Sequence, residues 1–489
     1  MIDLLILEPA LAEIFLAGIS LILVLIAAFI PHRRLATLIV RRTVIISLLI
    51  ALWLVVYNGN QPAYAFYGQF FTSPFMVYMK ILLILGAVGV LLMGRRSTRE
   101  DEIERPELHI LMLLAVLGMM LMVSANDLIV LYMGLELQSL PLYIIAAIRR
   151  DSMRSSEAGL KYFLLGALAS GLLLYGISLI YGFTGSLSYD GIKLAVDATN
   201  TNGVGISTGA VIGIVFLLCG LAFKISAAPF HMWTPDVYEG SPTLVTAFFA
   251  VVPKLAIMTL FIRFTYGVLG DVTSSWQQVV VALAALSMVV GAIGALRQTN
   301  IKRLMAYSSI AHMGYALVGL SSALAVGVSS VMVYMVIYVI SSVGVFALIL
   351  SLRRDGRPAE RISDLAGFST SHPMYAMALL VLMFSMAGIP PLGGFFGKWF
   401  VFSAAVEAGF VPLAVIGVLS SVVGAFYYLR IVKIMYIDGV EEKLDSTIPF
   451  SNRVIATASA GVLLLFAFVI AFLHDTIVAT LPFIVFVAG

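Results

Sequence analysis

Gly220-Leu221-Ala222-Phe223-Lys224-Ile225-Ser226-Ala227-Ala228-Pro229-Phe230-His231 and Ala387-Gly388-Ile389-Pro390-Pro391-Leu392-Gly393-Gly394-Phe395-Phe396-Gly397-Lys398-Trp399 decide how this chain folds. Each lies inside an apolar run long enough to cross a membrane as a helix. Each also holds residues that a helix interior rejects. Proline removes a backbone donor and clashes with the preceding turn, and glycine adds backbone freedom. In lipid, freed backbone groups are tolerated only where protein or a wet cavity satisfies them. Two interrupted helices at corresponding places in a chain point to an ion site. The plainer alternative is a pair of packing kinks. The lysine beside each break favours the ion site.

The surrounding chain is membrane-like. Of 489 residues, 61% are hydrophobic and only 11% charged, where a soluble domain carries about 25% charged residues. A spanning helix needs about 20 apolar residues. Fourteen such stretches are read at 10–30, 39–57, 76–94, 107–124, 127–148, 157–183, 208–233, 242–268, 274–296, 301–321, 325–352, 373–403, 409–437 and 453–475. The runs are too long for barrel strands, so the fold class is an all-α membrane protein. The breaks fall in the seventh and twelfth spans, five apart. That spacing predicts two five-helix repeats, helices 4–8 and 9–13, and an odd number per repeat makes them inverted. The expected divisions are 1–106 (three N-terminal spans), 107–268 and 269–437 (the repeats), and 438–489 (the last span). The gap 184–207, with Gly185, Ser186, Asp190, Asp197, Asn200 and Asn202, reads as an exposed loop.

Basic residues orient the spans. With the N-terminus outside, the inner connections hold Arg33, Arg34, Arg41 and Arg42; Arg95, Arg96, Arg99 and Arg105; and Arg149, Arg150 and Arg154. Further along they hold Arg297, Lys302 and Arg303; Arg353, Arg354, Arg357 and Arg361; and Arg430, Lys433, Lys443 and Arg453. These are 22 of the 29 Lys and Arg, against Lys193 alone outside. Both termini are therefore expected outside. The opening residues lack a basic n-region and a cleavage site before Pro31, so the first span is expected to be retained. The stretch Thr234–Ser241 should be an inner connection, yet carries Asp236 and Glu239 and no basic residue. It reads equally as a Pro/Gly turn or as a docking surface or ion entry site.

Charge inside a span is costly and rarely lacks a partner or a wet cavity. Glu136, Lys224, Lys254 and Lys398 each lie deep in a different span. Glu136 beside Lys224 or Lys254 makes a proton switch: opening the pair releases a proton and closing recaptures one. The alternative is a structural ion pair. Pro253 precedes Lys254 and is expected to distort its helix. Lys398 is the lone basic residue of the second broken span, and His312 is its expected neighbour, as relay or as hydrogen-bonded core. Glu407 ends the twelfth span near the outer face, as an exit group or a solvated carboxylate. Glu157 and Lys161, four residues apart, stabilise a helix end, with a modest functional share. Lys80 and Arg263 are expected near the interface, snorkelling. Cys219 is expected to be a small buried side chain. The sequence holds no phosphate-binding loop, dinucleotide-binding unit or metal cluster. An ion gradient or a partner would drive any transport.

Lys224, Ser226-Ala227-Ala228-Pro229-Phe230-His231, Trp233 and Pro235-Asp236 resemble the signature of the antiporter-like subunits of respiratory complex I, which are similar to subunits of multi-subunit cation/proton antiporters. The likeness runs from about 107 to 437 and includes Glu136, Lys224, Lys254 and the broken twelfth helix. Lys398, in place of the glutamate of the M-type subunit, and a chain without the lateral helix of the L type resemble the N type. The resemblance implies a proton-translocating membrane-arm subunit of a bacterial NADH–quinone oxidoreductase in the inner membrane. Glu136 and Lys224 would gate, Lys254 and His312 bridge, and Lys398 load and release the outgoing proton, with Glu157 and Glu407 as lesser contributors. It also implies no cofactor in this chain. NADH, FMN, iron–sulfur clusters and quinone would bind partner subunits, and the neighbours would be subunit M, small membrane subunits and lipid, with no nucleic acid. Two other readings stay open: a subunit of a stand-alone cation/proton antiporter, and a structural subunit whose buried charges only bind partner helices.

Overall fold

The computed structural model describes residues 7–484 apart from 60, 102, 202–204, 440–443 and 446. Asn202 and Lys443 lie outside the described residues. The first six spans are the helices Leu11–Phe29, Arg33–Asn58, Pro74–Glu100, Pro106–Ser124, Leu128–Ala146 and Met153–Thr184. The seventh is Thr208–Ile225 followed by Trp233–Gly240, and the eighth is Thr243–Ile262 continued by a π-helical stretch, Arg263–Val268. Gln277–Ala295, Ile301–Ser321 and Ala325–Ile349 follow, then Pro373–Ala387 with Gly393–Glu407 as the twelfth. Val411–Tyr436 is the thirteenth, and Phe450–Leu464 with Phe466–Thr480 the fourteenth. Among the described residues, twelve helices are long and apolar enough to cross a membrane. The tenth, loaded with Lys302, Arg303 and His312, and the split twelfth complete the fourteen.

Local sequence explains the helix starts. Pro74, Pro106 and Pro373 open their helices, where the missing N–H is not needed. Asp127 and Asn300 cap the fifth and tenth spans by accepting from Ile129 N (2.8 Å) and Lys302 N (2.9 Å). The core lies along the eighth and eleventh spans. Every residue of Thr243–Ile262 is buried, and nearly all of Ala325–Ile349. Spans four and five, six and seven, and nine and ten pack as neighbours around them. Gly118 and Gly134 bring spans four and five together. A methyl on either would meet the other helix's backbone, the close approach that small residues permit between membrane helices.

Several expectations are corrected. The gap 184–207 contains a helix, Tyr189–Thr201, because Tyr189, Ile192 and Val196 fall on one buried face at helical spacing. The seventh span unwinds after Ile225, within the break read at Gly220–His231, while 233–240 is helix and no turn. Lys80 and Arg263 do not snorkel, since their partners are inside. Lys80 is 1% exposed and pairs with Glu13 of the first span at 2.5 Å. Arg263 is fully buried, donates to the Val123 (3.0 Å) and Ala125 carbonyls, and stacks 5.0 Å over the Tyr189 ring.

Candidate functional site

The first break sits between Ile225 and Trp233. Ser226 adopts left-handed backbone (φ 66°) and ends the first half-helix. The freed groups find partners: Ala228 N donates to Ser287 Oγ of the ninth span at 2.8 Å, and Trp233 Nε1 reaches back to Phe223 O at 3.1 Å. Lys224 thus stands in the last turn of a half-helix, where backbone carbonyls favour a cation. It is 5% exposed. Its Nζ does not touch Glu136. It donates to Ser139 Oγ (2.8 Å) and Tyr143 OH (3.0 Å), one and two turns further along Glu136's helix. Glu136 interacts with Lys224 electrostatically, and its Oε1 is buried with no hydrogen-bond partner among the described residues. The direct Glu–Lys pair expected from the sequence is therefore open in this structure, and the hydroxyls hold the lysine.

The second break lies between Ala387 and Gly393 and is closed differently. Lys398 belongs to the second half-helix but bonds back across the gap. Its Nζ donates to Met386 O (3.0 Å), Ala387 O (2.9 Å) and Ser421 Oγ (2.8 Å). The carbonyls end the first half-helix, so the ammonium takes the place of its missing continuation. Gly388 turns left-handed there (φ 87°), and Gly394 N donates to Ser385 Oγ at 3.0 Å. No carboxylate pairs with Lys398 among the described residues.

Between the breaks lies a hydroxyl-rich network. Lys254, 1% exposed beside Pro253, donates to Ser309 Oγ. Ser309 Oγ bonds Tyr338 OH at 2.8 Å, and Tyr338 OH donates to Ala250 O at 2.8 Å. His312, one turn beyond Ser309, bonds Tyr334 OH through Nδ1 (2.5 Å) and Tyr428 OH through Nε2 (3.1 Å). His312, Tyr338 and Lys398 line one small cavity, and Lys398 Nζ sits 5.0 Å over the Tyr315 ring. Lys254, His312 and Lys398 are thereby brought together. Lys224 is separated from Lys254 by rings: Tyr143 on Tyr162 (4.8 Å), Tyr162 on Trp233 (4.4 Å), Trp233 on Tyr238 (6.5 Å), with Lys254 Nζ 5.8 Å over Tyr238.

The two lesser candidates stand apart. Glu407 is exposed at the end of its helix. Glu157 pairs with Lys161 at 2.8 Å on the surface. Lys161 also bonds Asp236 (2.7 Å), and Asp236 and Glu239 bind Arg303 (2.7 and 3.1 Å). These pairs tie the second half of the seventh span to spans six and ten, and Asp236 and Glu239 line a small surface cleft there. Sequence reading missed the hydroxyls. Ser139 and Tyr143, three and seven residues after Glu136, share its helix face, and Tyr334 and Tyr338 are likewise four apart. That spacing could have revealed them. The Glu13–Lys80 pair carried no such signal. Among the described residues no group of His, Cys, Asp and Glu could hold a metal ion.

The family described as NADH:quinone oxidoreductase/Mrp antiporter, TM, matches residues 125–424. The chain is 54% identical to NADH-quinone oxidoreductase subunit N of Rhodospirillum rubrum over 94% of each chain, and 52% identical to subunit N 1 of Rhizobium meliloti over 88% of each. Among solved structures, a chain of respiratory complex I from Thermus thermophilus superposes with a TM-score of 0.80 at 33% identity, covering 95% of this chain and 98% of that one. A chain of the Mrp complex from Dietzia superposes at 0.81 with 21% identity over 97% of each, a likeness of fold. With its broken helices, buried lysines and relatives of this extent, the chain belongs to the NADH:quinone oxidoreductase/Mrp antiporter membrane family.

Proposed function

We propose that this chain is a proton-translocating membrane-arm subunit of an NADH–quinone oxidoreductase. The observation that carries the reading is the buried run from Lys254 through Ser309 and Tyr338 to the cavity shared by His312 and Lys398. A buried charge is retained in a membrane where it has partners and a task, and hydroxyls, which both donate and accept, can pass a proton between such groups. Glu136 and Lys224 form the gate, Lys254 and His312 the bridge, and Lys398 the loading site. Glu157 and Glu407 contribute less.

The remaining parts of the reading rest on the family. Helices 4–8 and 9–13 are two inverted repeats, flanked by 1–106 and 438–489. The termini face the outside of a bacterial inner membrane. Partner subunits carry the NADH, FMN, iron–sulfur and quinone chemistry, and this chain supplies no redox group. Its contacts are an M-type subunit, small membrane subunits and lipid.

The test is NADH-driven proton uptake by the complex in liposomes, with Lys254→Met beside wild type at matched assembly. Loss of uptake on the order of a hundredfold, the usual share of a proton-transferring group, supports the reading. Unchanged uptake sinks it in favour of a structural subunit. Transport that persists in a chain purified without redox partners favours a stand-alone antiporter.

A further inference from the structure

A large cleft lies away from the lysine route. It has about 870 Å³ and opens where spans two, three, four and fourteen meet at their arginine-bearing ends. Arg41, Arg42, Arg96 and Arg99 line it, and among the described residues Glu104 is the only carboxylate that does. Arg96 is committed to the wall, donating to Thr447 O (2.6 Å) and Oγ1 (2.7 Å), while Arg42 and Arg99 are exposed. His109 also lines the cleft. It is 2% exposed, and its Nδ1 has no hydrogen-bond partner among the described residues. Its ring interacts with the Arg105 backbone one turn back, and a buried polar group in a cleft wall gains from a partner in the cleft's occupant.

Leu38, Ile45, Leu92 and Phe450 form an apolar side, and Thr37, Thr98 and Ser451 add hydroxyls. The lipid-facing side of span two runs on from the cleft through Ile46, Leu49 and Trp53, all exposed, and Val454 does the same on span fourteen. Guanidinium forks suit phosphate oxygens, and a basic pocket between helix ends beside an apolar flank matches a headgroup with its acyl chains. A free anion would have no use for the apolar side.

We propose that this cleft binds the phosphate headgroup of an anionic phospholipid, held by Arg42, Arg99 and His109, with its acyl chains along spans two and fourteen. Bound there, the lipid joins the three N-terminal spans to the last one, which are otherwise distant in sequence.

The test compares the purified complex carrying wild-type chain with one carrying Arg42→Gln and Arg99→Gln, each placed in phosphatidylcholine nanodiscs doped with phosphatidylglycerol. Retained lipid is read by mass spectrometry after washing, with and without inorganic phosphate. In parallel, a photoreactive residue replaces Leu38 in an otherwise wild-type chain, so the result does not depend on the arginine variant folding. The expected result is enrichment of phosphatidylglycerol by wild type and a loss of roughly tenfold in the double variant, as two interfacial cations are removed. Inorganic phosphate leaves the enrichment unchanged, and the probe labels phosphatidylglycerol. Equal retention by both chains overturns the proposal. Displacement by phosphate makes the cleft a free-anion site, and labelling of a protein makes it a partner surface. Either result also overturns it.

Discussion

The two broken helices solve one problem in different ways. In both, a lysine stands by the gap and a serine satisfies one freed amide: Ser287 for Ala228 and Ser385 for Gly394. The lysines differ. Lys224 ends its half-helix and turns sideways onto two hydroxyls of the fifth span. Lys398 reaches back and seals its own break through two carbonyls and Ser421. Carbonyls only accept, so three acceptors around Lys398 match the three protons of an ammonium. Hydroxyls can donate or accept, so Ser139 and Tyr143 suit either protonation state of Lys224. The seventh-span lysine is therefore built to change state with little disturbance to its helix. The twelfth-span lysine is part of the helix it serves.

That difference can be broken by substitution. The largest combined effect is expected from Lys398→Met. It leaves Met386 O and Ala387 O without their donor, at about 1–3 kcal/mol for each buried group left unpaired. Both proton pumping and the thermal stability of the complex should fall. Normal stability alongside lost pumping would mean that Lys398 does not seal the break.

Ser287→Ala and Ser385→Ala come next. Each strips one buried amide of its acceptor and should lower stability by a similar amount, about 1–3 kcal/mol. A large inequality in denaturation midpoints would show that the two breaks are not equivalent. Tyr143→Phe should be milder, because Ser139 still holds Lys224. Coupled turnover is expected to drop severalfold, in line with roughly 1 kcal/mol for one hydrogen bond. The smallest effect belongs to Glu157→Gln. Its exposed pair with Lys161 is worth a few tenths of a kcal/mol, so pumping should stay within about twofold of wild type.

Much of this arrangement was legible in the sequence, because membrane folding leaves few options. Apolar length gave the spans, proline and glycine marked the breaks, and charge in lipid singled out Glu136, Lys224, Lys254 and Lys398. What escaped depends on which faces meet. Lys80 and Arg263 carry the same signal as the four, yet sit near span ends, where snorkelling also accounts for a charge. Their partners, Glu13 and the Val123 and Ala125 carbonyls, come from elements remote in sequence. The helix Tyr189–Thr201 is too polar to stand out by hydropathy, and its three buried residues show only as a spacing. The unwound point of the seventh span falls inside the stretch that Pro229 marks, and Pro235, which also invites a break, does not make one. The packing of Trp233 on Tyr162 favours helix at the second.

The most direct measurement is NADH-driven proton pumping in liposomes by the complex carrying Lys224→Met, at matched assembly and thermal stability. Ser139 and Tyr143 do not depend on the lysine to keep a helix closed, so the complex should assemble and melt as wild type does. Pumping should fall on the order of a hundredfold. Wild-type pumping by an intact Lys224→Met complex would contradict the account, because the lysine held on hydroxyls would then carry no proton.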